Sequence, residues 1–91
     1  MYRSAAWMKA VAELETCVLC GRYGVQVAHR NEDKAKSQKV DDCLTAALCP
    51  ECHHEIDNGK NLTRDERRAA MDRAIVLTLR ALVRAGKVGL L

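Results

Sequence analysis

Two Cys-x2-Cys pairs, Cys17–Cys20 and Cys49–Cys52, constrain this chain more than any other feature. Two intervening residues let both sulfurs of a turn reach one ion. Two such turns complete the tetrahedron that Zn²⁺ accepts, at about 2.3 Å per sulfur. The chain has 91 residues, a size at which an apolar core alone is marginal. It is only 3% aromatic, with Tyr2, Trp7, Tyr23 and no Phe, so bound zinc would take over the role that large rings play in other small cores. Iron–sulfur ligation and disulfides are the competing uses of four cysteines. No apolar run approaches the roughly 18–20 residues of a membrane span. The first ten residues, with Arg3, Trp7 and Lys9, lack the apolar centre of a signal peptide. These features predict one cytoplasmic domain over 1–91, with no membrane partner and with the four cysteines holding a structural zinc.

The formal net charge of +3 is small, but it is unevenly spread. Residues 21–40 carry an excess of three positive charges, and 58–91 an excess of five. Between them, 41–57 hold Asp41, Asp42, Glu51, Glu55 and Asp57 with no Lys or Arg. An acidic segment between two basic ones suits a cation site flanked by surfaces that attract a polyanion, although an ordinary solvated surface gives the same pattern.

Local signals divide the chain. Ser4 is an N-cap for a helix over Ala5–Glu15, with Trp7, Met8, Val11 and Leu14 on one side. Cys17 to Gly24 reads as a tight turn, and Val25–His29 alternates as a short strand. Residues 30–42 form a charged loop, and Cys43–Leu48 a second strand with Cys43 as a small buried residue. Pro50 opens a helix of about two turns, closed by a left-handed cap at Asn58-Gly59. Thr63-Arg-Asp-Glu66 is a capping box, and a long helix follows to about Gly86. Met71, Ile75, Thr78, Leu79 and Leu82 share one side of it, and Arg73, Arg80, Arg84 and Lys87 the other.

The histidines lie beside this frame. His29 ends the first predicted strand, whereas His53 and Asp57 are four apart on the short helix and point the same way. A His–carboxylate pair at that spacing can hold a divalent cation and leave positions open for water and substrate. Taken singly, each histidine is more often an ordinary surface or core residue.

Cys17-x2-Cys20, Val27-Ala28-His29 and Leu48-Cys49-Pro50-Glu51-Cys52-His53-His54-Glu55-Ile56-Asp57 together resemble the HNH, or ββα-metal, endonucleases. More closely, they resemble the small zinc-bearing nucleases of phages and prophages. The likeness covers about residues 14–59 and implies an α+β treble-clef zinc knuckle, extended here by an N-terminal and a long C-terminal helix. It also implies that His29 is the general base and that His53 and Asp57 bind a second, catalytic divalent metal (Mg²⁺, Mn²⁺, Ni²⁺ or Zn²⁺). Two positions depart from the family pattern. Ala28 stands where many members carry a metal ligand, and Asp41-Asp42-Cys43 stands where the middle Asn is expected. Asp42 is then the candidate to orient His29, ahead of Asn31, or to supply a further metal ligand.

The activity so implied is metal-dependent hydrolysis of DNA phosphodiesters, in a host cytoplasm if the gene is a phage's. A neutral imidazole, with an ordinary pKa near ~6.5, can take the proton of the attacking water. Arg30, Lys34, Lys36 and Lys39 in the loop, with Arg73, Arg80 and Arg84 on the last helix, are candidate phosphate contacts. The alternative is a catalytically inactive zinc module that binds nucleic acid or a protein. Val76, Val83, Val88, Leu90 and Leu91 extend the apolar surface of the C-terminal segment beyond one core stripe, which predicts a homodimer through this helix.

Overall fold

In the computed structural model, which describes residues 1–30 and 40–89, five elements follow one another along the chain. They are α1 (Ala5–Ala12), β1 (Gln26–His29), β2 (Thr45–Leu48), α2 (Pro50–Asn58) and α3 (Arg64–Arg84). Asn31, Lys34, Lys36 and Lys39 of the charged loop lie outside the described residues. None of the described helices is long and apolar enough to cross a membrane.

β1 and β2 pair antiparallel, with Gln26 opposite Leu48 and His29 opposite Thr45. Because successive strand residues face opposite ways, the two faces collect different neighbours. Ala28, Ala46 and Leu48 pack with Ile56 of α2 and with Met71 and Ala74 of α3. Ala47 packs with Val11 of α1 and Leu82 of α3, joined by the half-buried Trp7, Leu14 and Val27. All four residues of β2 are therefore buried. Three of the eight strand residues are buried alanines, which lets helices approach both faces closely and explains how a core forms almost without rings.

The outer edge of β2 is covered as well. Val18 N–H donates to the Ala47 carbonyl at 3.1 Å, and Ala47 N–H donates to Thr78 Oγ1 at 3.1 Å. An uncovered edge would leave these groups unpaired and open to another chain. Thr78, 1% exposed, is thus a hydrogen-bond acceptor at the point where α3 passes the sheet edge. Thr78→Val keeps the shape and removes the acceptor. It should cost about 1–3 kcal/mol, because the Ala47 N–H stays buried without a partner. Denaturant unfolding should show a lower midpoint at unchanged slope; an unchanged midpoint would mean that the Ala47 N–H has found another acceptor.

Several boundaries differ from those the sequence predicts. α1 stops at Ala12, three residues early, because Glu15 takes a left-handed φ of 71° and its carbonyl accepts from Gly24 N–H at 2.7 Å. β1 starts at Gln26 and β2 at Thr45. Cys43 sits in the turn before β2, half-buried, and is not a buried strand residue. Gly59 has φ −65° and ψ 151°, so it is extended and not left-handed. A Cβ there would lie 2.5 Å from the Glu55 carbonyl oxygen, so glycine is required by close approach. Leu79 is 44% exposed: the core takes Met71, Ala74, Thr78 and Leu82 and leaves Leu79 at its margin. The Ser4 cap and the Thr63–Glu66 capping box form as expected.

Candidate metal centre and its two histidine pairs

The sulfurs of Cys17, Cys20, Cys49 and Cys52 all lie within 4.8 Å of one another. Four Zn–S bonds of about 2.3 Å set neighbouring sulfurs about 3.8 Å apart in a tetrahedron. The Cys20–Cys49 separation of 3.6 Å is close to that spacing, and none of the five cysteines is in a disulfide. Two local structures deliver the ligands. In the first turn, Cys17 N–H donates to the Arg22 carbonyl at 2.8 Å, and Gly21 N–H donates to that of Cys17 at 2.8 Å. The reversal uses Gly21 at φ 79°, a left-handed conformation that favours glycine. In the second, Cys49 is the N-cap of α2, and its Sγ accepts from Cys52 N–H at 3.4 Å. The positive end of the helix thereby faces sulfur. Arg22 and Glu51 form an ion pair that joins the two turns.

The electrostatics are those of a cation site. Burial opposes charge on Cys17, but N–H groups near Cys49, Cys20 and Leu19 and the Cys20 thiol outweigh it, and Cys17 falls to about 6. Burial pushes the Cys52 thiol up, and so do the neighbouring Cys49, Cys17 and Cys20 sulfurs. One sulfur is thus ready to ionise while its neighbour resists a second negative charge. A divalent ion among them removes the conflict and draws all four to the thiolate form. The residues present fit a structural Zn²⁺.

His29 belongs to a separate cluster. Its Nε2 lies 3.0 Å from Asp42 Oδ1, with the Asp42 side chain 9% exposed and that of His29 33% exposed. Arg3 Nη1 donates to the same Oδ1 at 3.1 Å, and Ser4 N–H donates to Oδ2 at 2.8 Å. The His29 contact foremost, then Ser4 N–H, hold the Asp42 carboxyl below its ordinary value; burial opposes this and Arg3 adds to it. An ionised carboxylate only accepts, so His29 donates from Nε2. Asp42 also ties the N-terminus to the hairpin, because its N–H donates to the Tyr2 carbonyl at 2.9 Å.

A carboxyl whose folded pKa is depressed adds stability above the unfolded value of about 3.9 and loses it as pH falls through the folded one. Asp42→Asn should therefore melt below the parent at neutral pH. The two melting curves should converge as the pH drops well below 4. A gap that stays constant down to pH 2 would exclude this origin.

His53 and Asp57 form the other pair on α2, with Nε2–Oδ2 at 3.0 Å. His53 Nδ1 lies 2.8 Å from Gln26 Oε1. Since Gln26 and His29 are three apart on β1, their side chains leave opposite faces of the strand. Gln26 and Ala28 share a face, so the two histidine pairs stand on opposite sides of β1. Among the described residues, no third His, Cys, Asp or Glu joins either pair closely enough to share an ion. Asp42 is committed to His29, Arg3 and Ser4 and does not complete the His53–Asp57 pair. Ala28, 1% exposed, is buried in the cluster that includes Ile56 and offers no donor.

Of the remaining expected contacts, Arg30 Nε donates to Asp72 Oδ1 at 2.6 Å, while Arg73, Arg80 and Arg84 are exposed on α3. The contacts of Arg3 and the Ser4 N–H with Asp42, of Gln26 with His53 and of Arg22 with Glu51 have no signal in the sequence. The contacts of Arg3 and Ser4 with Asp42 span 39 and 38 residues, and nothing local announces them. Compared with protein-family models, curated proteins and solved structures, the chain matches none.

Proposed function

We propose that this protein is a metal-dependent DNA endonuclease of the HNH type, built on a treble-clef knuckle that holds a structural zinc. The observation that carries the reading is the His29–Asp42 pair. A half-exposed imidazole has one nitrogen held by a buried carboxylate, and that carboxylate is itself anchored by Arg3 and the Ser4 N–H. This is the arrangement of a positioned general base, with Nδ1 as the atom that accepts the proton of the attacking water. Asp42 is a positioning residue: it selects the tautomer and balances the imidazolium that forms.

His53 and Asp57 are the proposed ligands of the catalytic cation. Their separation of 3.0 Å suits two adjacent ligands with bonds of about 2.1 Å to one ion. A divalent cation held there would offset charge on the phosphate oxygens and on the departing 3′ oxygen. His53 Nε2 would then give up its hydrogen bond with Asp57 to the cation. Gln26 is placed to keep the ring in its plane through Nδ1. DNA would have to reach both faces of β1, passing its outer edge, to meet His29 and the His53–Asp57 pair together.

One observation favours the second reading, a zinc module that binds nucleic acid or protein without cleaving. Ala28 stands buried on the same strand face as Gln26, and among the described residues no third ligand reaches the His53–Asp57 pair. Plasmid nicking separates the two. The endonuclease reading expects conversion of supercoiled DNA to open circles with Mg²⁺, Mn²⁺ or Ni²⁺ and none in chelator. Absence of cleavage with every one of these ions, in zinc-loaded protein, would leave the binding module.

A further inference from the structure

Helix α3 carries a second apolar row that the other described residues leave exposed. Ala69, Asp72, Val76, Leu79 and Val83, apolar but for Asp72, follow at alternating steps of three and four, the spacing of heptad a and d positions. All five are exposed, Val76 at 64%, Leu79 at 44% and Val83 at 51%. At 100° per residue, Asp72, Val76, Leu79 and Val83 fall within about 60° of one another. Beside the head of this row a groove of about 350 Å³ is lined by Arg30, Leu44, Asp72, Ile75 and Val76. Valine at a with leucine at d is the composition of a helix–helix seam.

The flanking charges decide which helix fits. The e positions are Arg73 and Arg80, Arg84 lies beside them, and no acidic residue occurs from 73 to 91. Two copies of α3 packed antiparallel would set this basic row against itself. Packed in parallel, they would place Arg68 opposite Arg73. Like charges at such positions are destabilising, so the predicted homodimer is disfavoured in both orientations. A nucleic-acid backbone would satisfy the arginines and leave Val76, Leu79 and Val83 in water. Lys87, just past the helix, already meets a carboxylate, Glu13, at 3.7 Å.

We infer that this face of α3 docks an amphipathic helix of another protein, apolar along its seam and acidic along its flanks. The probes are two synthetic helical peptides with the same Val/Leu seam, one flanked by Glu and one by Lys. They are titrated into the zinc-loaded full chain at low salt. The Glu peptide is expected to bind at least about tenfold more tightly than the Lys peptide. Arg73→Glu with Arg80→Glu should reverse the preference. Leu79→Gln should weaken the Glu peptide about tenfold while leaving the melting temperature unchanged, because Leu79 is at the exposed margin. Equal binding of both peptides, or binding of neither, overturns the inference. So does self-association in sedimentation that Leu79→Gln abolishes, which would make the occupant a second copy. Binding of a DNA duplex that weakens equally in Leu79→Gln and in the arginine pair would make the face a nucleic-acid surface instead.

Discussion

Cys49→Ser is expected to unfold the domain at room temperature. Cys49 is 1% exposed, caps α2 through its sulfur, lies 3.6 Å from Cys20 and belongs to the core cluster of Ala28, Leu48 and Met71. Serine can still cap α2 through its hydroxyl, but it removes one of the four sulfurs grouped to hold the ion. Apparent binding energies of structural zinc are about 10–16 kcal/mol, whereas a domain's net stability is about 5–15 kcal/mol. Even partial loss of the ion therefore exceeds what a ring-poor core can offset. The parent should contain one tightly held zinc per chain and melt cooperatively, and chelator should erase the transition. Cys43→Ser, at a half-buried turn position outside the cluster, should change the zinc content not at all and the melting temperature little. A metal-free parent that melts at the same temperature as the loaded one would remove the zinc from the account of stability.

The features legible in the sequence are those encoded within a few residues. The two Cys-x2-Cys turns, the Ser4 cap and the Thr63–Glu66 box each depend on side chains three residues apart, and each forms where its spacing places it. The His53–Asp57 contact is likewise a consequence of helical spacing. Features that depend on how elements meet were harder to read. A helical wheel groups Thr78 with Leu79 on one apolar side. It does not say that α3 passes the edge of β2, burying Thr78 as an acceptor for Ala47 and leaving Leu79 outside. Strand alternation places His29 on the face opposite Gln26 and Ala28. What the sequence withheld was that Gln26 is the partner of His53, so the two histidine pairs are divided by the strand. The Asp42 environment depends on Arg3 and Ser4, which reach it only because the segment before α1 runs beside residues 41–42.

That division by β1 makes the second large effect a sharp one. Under the endonuclease reading, His29→Ala should lower the rate of phosphodiester hydrolysis by about 10²–10⁴-fold, the loss typical of a missing general base. Zinc content should not change, because His29 is not among the residues grouped round the cysteines. Divalent-metal binding at α2 should also persist, since the His29–Asp42 pair leaves β1 on the other side. His53→Ala should instead weaken that second ion and lose activity with it, and rising metal concentration should restore part of the rate. No such rescue is expected for His29→Ala. Asp42→Asn tests the positioning role: its amide oxygen can still accept from His29 Nε2–H but no longer balances the charge of the imidazolium that forms, so the rate should fall while DNA binding and zinc content stay as in the parent. Cleavage at the parental rate in His29→Ala would remove His29 from the chemistry. Loss of the structural zinc in His53→Ala would assign His53 to the knuckle and dissolve the two-metal reading. If excess metal rescued both histidine variants alike, the strand would not separate base from cation, and both side chains would have to serve a single ion.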